Sequence, residues 1–311
     1  MPTIRIAPDE VRVTLPEDET VLAASRRAGV PHARLCGGEG RCSTCRVVVT
    51  EGLDACAPRT SVEQAMADRL GFPAPMRLAC QLHVRGDVAV RRLVLDADDL
   101  LLASQLAPDA RGARVGEERP FAILFTDLRG FTTFSEQRPP FDVMHVLGRH
   151  FLAMGRVVRE YGGVVNNTMG DGMLVLFDGT DPGDACARAV RAGLHMLEAQ
   201  DLLGARIEEL YGRRLDMGIG VHFGSVVVGV LRCGDEKRTT VIGDAVNLAS
   251  RIEEANKTMG TRLLVSETVL SILGGRVRAG RAAEIPLKGK SGTFRLHEVQ
   301  AIDEGVPVPN G

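Results

Sequence analysis

Four cysteines in the first third of the chain have the residue type and spacing of a metal-binding set. Cys36, Cys42 and Cys45 follow one another as C-x5-C-x2-C, and Cys80 comes from a later segment. Glycines between the first two cysteines let the backbone turn close to inorganic sulfide and direct amide groups at the sulfurs. This set indicates a [2Fe-2S] cluster. A structural zinc ion is the alternative, although zinc sites usually contain two CxxC-like pairs and this sequence has one.

The segments around these cysteines predict short strands and two helices. One helix, at 19–29, begins at Thr20, and the other, at 62–70, is capped by Ser61. Strands are predicted at 47–49, at 86–90 and as a pair within 3–15. The first cysteine gap is one residue longer than the plant-type spacing. Residues 1–95 resemble the adrenodoxin-like ferredoxins, and the resemblance implies a β-grasp fold.

Two carboxylates further along the chain could bind divalent cations. Asp127 ends an apolar strand, and Asp171 lies in a Gly-Asp-Gly turn between two predicted strands. If the strand ends are neighbours, these hard oxygen ligands suit two Mg²⁺ or Mn²⁺ ions and a nucleotide triphosphate. Each feature is also common without a ligand, since Asp127 could be a solvated turn acid and a Gly-Asp-Gly turn needs no metal.

The residues after Asp127 predict a helix start that suits polyphosphate. Backbone amides of Gly130, Phe131 and Thr132 would point out of the helix N-terminus toward anionic oxygens. The same segment has a purely structural explanation, because Thr133 and the glutamate three residues later fit a capping box.

A third polar set lies on a helix predicted near residue 250. Asn247 and Arg251 are four residues apart, so they share one helix face and can address one ligand. An ordinary exposed arginine is the alternative. Upstream, 217–229 predicts a hairpin of two buried strands, in which His222 is a strand residue rather than a metal ligand because no His or Cys companion lies at useful spacing.

The segment 118–299 resembles the catalytic domain of the class III nucleotide cyclases. Its five motifs are FTDLRGFT, MGDG, GVHFG, IGDAVNLASR and LKG, in the family's order. The resemblance implies a βαββαβ ferredoxin-like core with additional strands. It also implies that Asp127 and Asp171, helped by the Leu128 carbonyl, bind two metal ions.

The same resemblance implies roles for three further residues and an assembly. Asn247 would orient the ribose, Arg251 would stabilise the transition state, and Lys288 would contact the triphosphate. A head-to-tail homodimer would build each site from two chains, with the aspartates from one subunit and these three residues from its partner.

Two positions bear on the choice of base. Adenylate cyclases of this family commonly pair Lys with Asp or, in many bacterial members, Thr, whereas guanylate cyclases tend to use Glu with Cys. The motifs place Asn167 and Thr240 there. Thr240 matches the bacterial adenylate variety, and Asn167 can offer an amide donor and acceptor to adenine. ATP is therefore favoured, with GTP as the alternative because an amide can serve either base.

The length of 311 residues accommodates two domains. We expect an α+β protein with a ferredoxin-type domain at 1–95, a linker with a short helix at 96–117, a cyclase domain at 118–299 and a tail at 300–311. The net charge of −2 gives no indication of nucleic acid or an acidic membrane surface as partner.

The remaining sequence features predict a cytoplasmic protein. The first twenty residues are acidic and lack the apolar region of a secretory signal, and no run approaches the ~18 apolar residues of a membrane span. The seven cysteines are an odd number, and four of them form the predicted cluster set, which argues against a disulfide framework. We therefore expect a reducing compartment. Cys56, Cys186 and Cys233 are interpreted as small, buried or half-buried apolar residues.

These observations favour an adenylate cyclase whose ferredoxin domain senses oxidant, iron or oxygen and acts with a redox partner protein. A guanylate cyclase is one alternative. Another is an electron-transfer or nucleotide-binding scaffold with an inactive cyclase-like domain, although the joint presence of Asp127, Asp171, Asn247 and Arg251 favours the enzyme. The cluster could also be purely structural.

Overall fold

The computed structural model describes residues 1–16, 18–93, 117–233 and 236–303. The linker predicted up to residue 117 lies almost entirely outside these residues, as does the end of the predicted tail. The chain folds as two compact units. The elements before residue 94 build the first unit, and most of the sequence from Glu118 onward builds the second.

The first unit is a β-grasp fold, as the sequence predicted. Its described strands form one sheet in the order β2-β1-β5-β3-β4, in which β1 and β5 are parallel and the other given pairs are antiparallel. The elements are β1 Thr3–Ala7, β2 Val11–Thr14, α1 Val21–Arg27, β3 Arg46–Glu51, a 3₁₀ turn Leu53–Ala55, α2 Ser61–Leu70, β4 Met76–Leu78 and β5 Val88–Arg92.

Both helices of the first unit begin at a hydroxyl residue. The Thr20 hydroxyl accepts a hydrogen bond from the Ala23 amide (3.2 Å), as predicted for α1. For α2 the prediction was one residue off. Thr60, not Ser61, is the N-cap, because its hydroxyl accepts from the Glu63 amide (3.2 Å) and Ser61 is already helical.

A buried ion pair fixes the segment before Cys80. Arg77 donates to both carboxylate oxygens of Glu63 (2.9 and 2.8 Å), and the Leu78 amide donates to the same carboxylate (2.7 Å). The Glu63 side chain is 0% exposed and that of Arg77 5%. Because the carboxylate has three donors, its charge is compensated, and removing either partner would leave an unpaired buried charge.

The second unit contains the βαββαβ ferredoxin-like core that the sequence predicted. Its described main sheet has the order β12-β13-β11-β9-β6-β8-β7, and β10 pairs with β9. The elements are β6 Glu117–Arg129, α3 Phe131–Glu136, α4 Pro140–Glu160, β7 Val164–Met169, β8 Gly172–Asp178, α5 Pro182–Tyr211, β9 Asp216–Cys233, β10 Glu236–Ile242, α6 Asp244–Met259, β11 Leu263–Ser266, α7 Glu267–Leu273, β12 Val277–Pro286 and β13 Thr293–Ile302.

Strand β6 is buried on both faces. Ala122 and Leu124 join the core formed with α4 and α5, whereas Phe121, Ile123 and Phe125 join a second cluster that includes residues of β10 and α6. Full burial of such side chains is worth about 2 kcal/mol each for the larger ones. The end of β6, where Asp127 lies, is therefore held from two sides.

Two local expectations for the second unit were wrong. Residues 217–229 are part of one continuous strand, β9, and not a hairpin. The strand has a glycine at position 224 because a larger residue would not fit: a Cβ there would lie 2.7 Å from the Cβ of Ala245. The capping box at Thr133 is not formed, since α3 begins after Gly130 and has no side-chain cap. Helices α4 and α5 were not predicted.

Other expectations can be checked directly. Among the described helices, none has the length and apolar character required to cross a bilayer. Cys186 is buried and Cys56 half-buried, as predicted, while the side chain of Cys233 is outside the described part. His222 lies in β9, with Nδ1 2.8 Å from the Ser266 hydroxyl oxygen.

Candidate active site and cluster-binding loop

The two predicted metal-binding carboxylates lie side by side at the end of β6. Strands β7 and β8 form a hairpin whose two-residue turn is Gly170-Asp171. The Leu128 amide donates to Asp171 Oδ2 (3.1 Å), which ties the turn to the residue after Asp127. Gly172 allows this approach, because a Cβ there would lie 2.7 Å from the Thr126 carbonyl oxygen. The neighbouring strand ends thus bring the two carboxylates together.

The charge around this pair is poorly compensated. Burial, and next the charge of Asp127, raise the pKa of Asp171. Asp127 contacts one cation, Lys257, at 3.2 Å between Oδ2 and Nζ. Two hard carboxylates that repel each other and remain accessible, with Asp127 33% exposed, fit divalent cations. In the described part of the chain no third His, Cys, Asp or Glu side chain joins them, so backbone, phosphate and water oxygens would complete the coordination.

A third carboxylate lies behind the pair. Glu253 on α6 is 6% exposed, and its Oε1 has no hydrogen-bond partner among the described residues. Burial, and then the charge of Asp127, raise the pKa of Glu253 to about 7, while Lys257 and Arg129 oppose the shift. Glu253 therefore holds its proton in the native protein at pH values at which an exposed glutamate has lost it.

This shift predicts how Glu253→Gln affects stability. The native pKa of Glu253 lies above the ordinary value of 4.5, so the unfolded chain releases this proton first and wild-type stability falls as pH rises from about 4.5 to about 7. The glutamine variant lacks this loss. We expect it to exceed the wild type at pH 8 by about 3 kcal/mol, and by less than about 1 kcal/mol at pH 5, in urea denaturation with divalent ions chelated. An equal difference at both pH values would contradict the assignment.

The predicted nucleotide-binding residues line a separate cavity at the start of α6. The cavity has a volume of about 330 Å³. It brings together the three residues predicted to contact ribose, transition state and triphosphate, along with four neighbours, and its lining is Asp244, Asn247, Ser250, Arg251, Lys288, Gly289 and Lys290.

The cavity is rich in cations. Lys290 pairs with Asp244, and Arg251 Nη1 lies 2.8 Å from Glu254 Oε2. The Arg251 side chain is 37% exposed, so this surface ion pair is weak and can rearrange around a ligand. With Lys288 added, positive groups outnumber the acids that line the cavity, which suits an anionic ligand.

The cavity and the carboxylate pair lie at different ends of α6. Lys257, which contacts Asp127, follows Asn247 by ten residues, or roughly 15 Å along the helix axis. Lys257 is also turned by roughly 120° about the axis from Arg251. Neither aspartate lines the cavity. Within one chain, the two predicted halves of the site therefore do not meet.

The other predicted substrate-binding residues are distributed as follows. Gly130 precedes α3, and Phe131 and Thr132 form its first turn, immediately after the carboxylate pair. Asn167 is exposed on β7, next to a register shift in its pairing with β8. Thr240 is half-buried on β10. Neither of these last two residues lines the cavity at the start of α6.

The four cysteines of the first unit form two pairs. Cys45 and Cys80 are buried, with their sulfurs 3.5 Å apart, and Cys42 donates to Cys36. Among the described residues no group of three or more ligand side chains surrounds one point. Two pairs of thiols suit two irons better than one zinc ion, which takes all four ligands itself.

Backbone amides stabilise thiolates in this loop. The Cys42 thiol, and then the amides of Gly38, Glu39 and Arg41, lower the pKa of Cys36 to about 5 although burial opposes the shift. Hydrogen bonding from Cys45 similarly lowers the pKa of Cys80 to about 7. The donor set and the amide environment thus fit an anionic iron–sulfur cluster.

Sequence reasoning missed Glu253, Lys257 and Lys290. A signal was present for the first two, because Glu253 and Lys257 are four residues apart on the helix that carries Arg251. Their proximity to Asp127 spans more than a hundred residues and could not be read from local patterns. Lys290 lies two residues after Lys288 and was passed over because the matched motif ends at Gly289.

Comparison with protein families finds two matches. Residues 115–300 match the adenylate and guanylate cyclase catalytic domain, and residues 4–85 match the 2Fe-2S iron-sulfur cluster binding domain. The first match covers more than half of the chain.

Individual relatives agree with the larger match. The chain is 34% identical to an adenylate cyclase of Anabaena cylindrica over 59% of its own length and 37% of the relative's, and 27% identical to adenylate cyclase 1 of Rhizobium meliloti over 63% and 30%. It thus spans about a third of the length of these relatives.

Solved structures show the same fold for the second unit. The guanylyl cyclase Cya2 is 35% identical, with a TM-score of 0.57, and the match covers 61% of this chain and 96% of that one. The adenylyl cyclase CyaB of P. aeruginosa, at 24% identity and a TM-score of 0.56 over 61% and 98%, supports the fold alone.

Proposed function

Because this chain belongs to the family of adenylate and guanylate cyclase catalytic domains, we propose that it is an adenylate cyclase that converts ATP to 3′,5′-cyclic AMP and pyrophosphate. The observation that carries the proposal is the cavity in which Asn247, Arg251 and Lys288 converge, together with the carboxylate pair at the end of β6. A nucleotide triphosphate needs both kinds of site.

Asp127 and Asp171 are the proposed ligands of two Mg²⁺ or Mn²⁺ ions, with the Leu128 carbonyl as a further oxygen. When bound, such ions lower the pKa of the ribose 3′-hydroxyl and neutralise charge on the departing pyrophosphate. The protein's part is to hold both carboxylates in place, which the Leu128 amide does for Asp171. The amides of Gly130, Phe131 and Thr132 are the proposed contacts of the phosphates.

The residues of the cavity take the remaining roles. Asn247 orients the ribose so that its 3′-oxygen faces the α-phosphorus, and Lys288 contacts the triphosphate. The guanidinium of Arg251 donates to the α-phosphate oxygens on which charge develops. In other enzymes, a preorganised donor of this kind lowers the activation free energy by about 3 to 4 kcal/mol.

We further propose that the working unit is a head-to-tail homodimer. In one chain the cavity and the carboxylate pair lie at opposite ends of α6 and point in different directions. A second copy can place its cavity against the first copy's carboxylates, and a two-fold arrangement then completes two sites at once.

ATP is the proposed substrate because of Thr240 and Asn167. An amide and a hydroxyl can pair with the donor and acceptor of the adenine edge without the carboxylate that a guanine edge favours. An adenylate cyclase at 34% identity and a guanylyl cyclase at 35% are similar to this chain to the same degree, so the proposal of ATP is based on Thr240 and Asn167 and not on overall similarity.

The N-terminal domain is the proposed regulatory part. A [2Fe-2S] cluster bound by Cys36, Cys42, Cys45 and Cys80 would supply a reversible one-electron change of charge. A reducing compartment such as the cytoplasm suits it, and a redox partner protein would exchange the electron. A tenfold change in cyclase rate needs only about 1.4 kcal/mol between competent and incompetent arrangements, which is within the usual range of coupling.

The proposal is tested by a cyclase assay of the anaerobically purified protein. We expect about two irons and two sulfides per chain, cyclic AMP from ATP with Mg²⁺ or Mn²⁺, and a slower reaction with GTP. The assay is repeated after reduction with dithionite at fixed metal and ATP. Zinc in place of iron would refute the cluster, and preferential turnover of GTP would identify a guanylate cyclase.

Two outcomes would favour other functions. Nucleotide binding without any cyclic product would indicate a scaffold with an inactive cyclase domain. Equal rates in both redox states, with loss of the folded N-terminal domain when the cluster is removed, would indicate a structural cluster.

A further inference from the structure

Lys257 places a cation where the proposed metal ions would bind. Its Nζ lies 3.2 Å from Asp127 Oδ2, and it comes from the last turn of α6. A lysine ammonium group is charged at neutral pH. With its Nζ at this distance, Lys257 is the counter-ion of Asp127.

This contact cannot persist unchanged when a divalent cation arrives. An ammonium and a metal ion that share Oδ2 of Asp127 repel each other, and a lysine donor uses a lone pair that a metal ligand needs. The Lys257 side chain is 53% exposed, so it can move into solvent without opening the core. Its displacement costs the ion pair, which at this exposure is weak.

Helix α6 has acidic side chains beside which Lys257 can lie after it leaves Asp127. Glu253 lies one turn earlier, at the i−4 position, and its Oε1 has no hydrogen-bond partner among the described residues. Glu253 and Glu254 both act on Lys257 electrostatically. A lysine that leaves Asp127 therefore remains beside acidic groups of its own helix.

We infer that Lys257 is a tethered competitor of the catalytic metal, which holds the carboxylate pair together in the metal-free enzyme and sets the metal concentration at which the site fills. The inference rests on the proposed role of Asp127 as a metal ligand. A lysine that merely orients Asp127 for the metal predicts the opposite sign, because its removal would then weaken metal binding.

The test measures Mn²⁺ binding to the full chain by the electron paramagnetic resonance of free Mn²⁺, without nucleotide. Subtraction of binding to Asp127→Ala isolates this site. We expect Lys257→Met to bind Mn²⁺ about fivefold more tightly than the wild type, a size consistent with loss of an exposed ion pair. Lys257→Arg, which keeps a cation at Asp127, is expected to stay within about twofold of the wild type.

The matched control is Arg206→Met, which removes one positive charge from an exposed position on α5. It should leave Mn²⁺ affinity unchanged. Weaker or equal Mn²⁺ binding by Lys257→Met would overturn the inference. The cyclase assay is a second measurement. In Lys257→Met, the Mn²⁺ concentration that gives the half-maximal rate should fall by the same factor of about five. Tighter Mn²⁺ binding without cyclic nucleotide formation would keep the inference and reject the proposed activity.

Discussion

Replacing Asp127 or Asp171 by alanine is expected to lower the cyclase rate by at least about a thousandfold, because each change removes an anionic ligand of the proposed metal pair. The two carboxylates lie at the end of β6 and in the β7–β8 turn, and Asp171 accepts the Leu128 amide. The β6 core does not depend on them, so the domain should stay folded. The measurement is cyclic nucleotide formation over a range of Mn²⁺ concentrations, with circular dichroism for the fold.

Asp178→Ala is the matched control for these variants. Asp178 is the last residue of β8, the strand that begins directly after Asp171. Its side chain is 46% exposed and pairs with Arg119 on the surface. Its removal should change the rate less than about twofold, since surface ion pairs contribute little. Near-normal turnover by Asp127→Ala or Asp171→Ala would show that other carboxylates bind the metal.

Two inactive chains are expected to regain activity when they are mixed, if each site is shared between subunits. In a mixed dimer of Asp171→Ala with Arg251→Ala, one site carries both defects and the other carries none. Random assembly makes half of the dimers mixed, so the mixture should reach about a quarter of the wild-type rate per chain. Each variant alone stays inactive. The measurement is the rate after subunits have exchanged, with mixed dimers quantified by two affinity tags.

The pair Asp127→Ala and Asp171→Ala is the control for complementation. Both residues belong to the same half of the site, so every site in a mixed dimer lacks one of them and no activity should return. Recovery in this control, or none with Arg251→Ala despite proven mixed dimers, would contradict a composite site.

Much of the local geometry of the candidate site could be predicted from the sequence, because its parts are short-range. Asp127 lies near the end of an apolar strand, Asp171 lies in a two-residue turn, and Asn247 and Arg251 are one helical turn apart. In such short segments, the residue types and their spacing indicate the geometry directly: glycine and aspartate favour a tight turn, and residues four apart share one helix face. The two domain folds were likewise accessible through motifs in a fixed order.

The rest depends on contacts between distant segments. Residues 217–229 were predicted as a hairpin, yet they lie within β9. The close approach of Ala245 of α6, which leaves no room for a Cβ at Gly224, could not be read from the local sequence. Lys257 is 130 residues from Asp127, and no local pattern records that they touch. Ser61 was predicted as the cap of α2, whereas Thr60 is the N-cap. The Thr60 hydroxyl also donates to Gln81 Oε1 (2.9 Å). This contact ties the N-terminus of α2 to a segment about twenty residues later, which no local pattern records.

The buried pair of Arg77 and Glu63 has a consequence for how the cluster is assembled. It immobilises the chain just before Cys80 by contacts that involve no sulfur atom. Cys45, at the edge of β3, is likewise held by the apolar core. We therefore expect Cys45 and Cys80 to be in position before iron arrives, so that assembly of the cluster needs movement mainly in the loop with Cys36 and Cys42. Loss and reinsertion of the cluster would then be a local loop transition rather than a refolding of the domain.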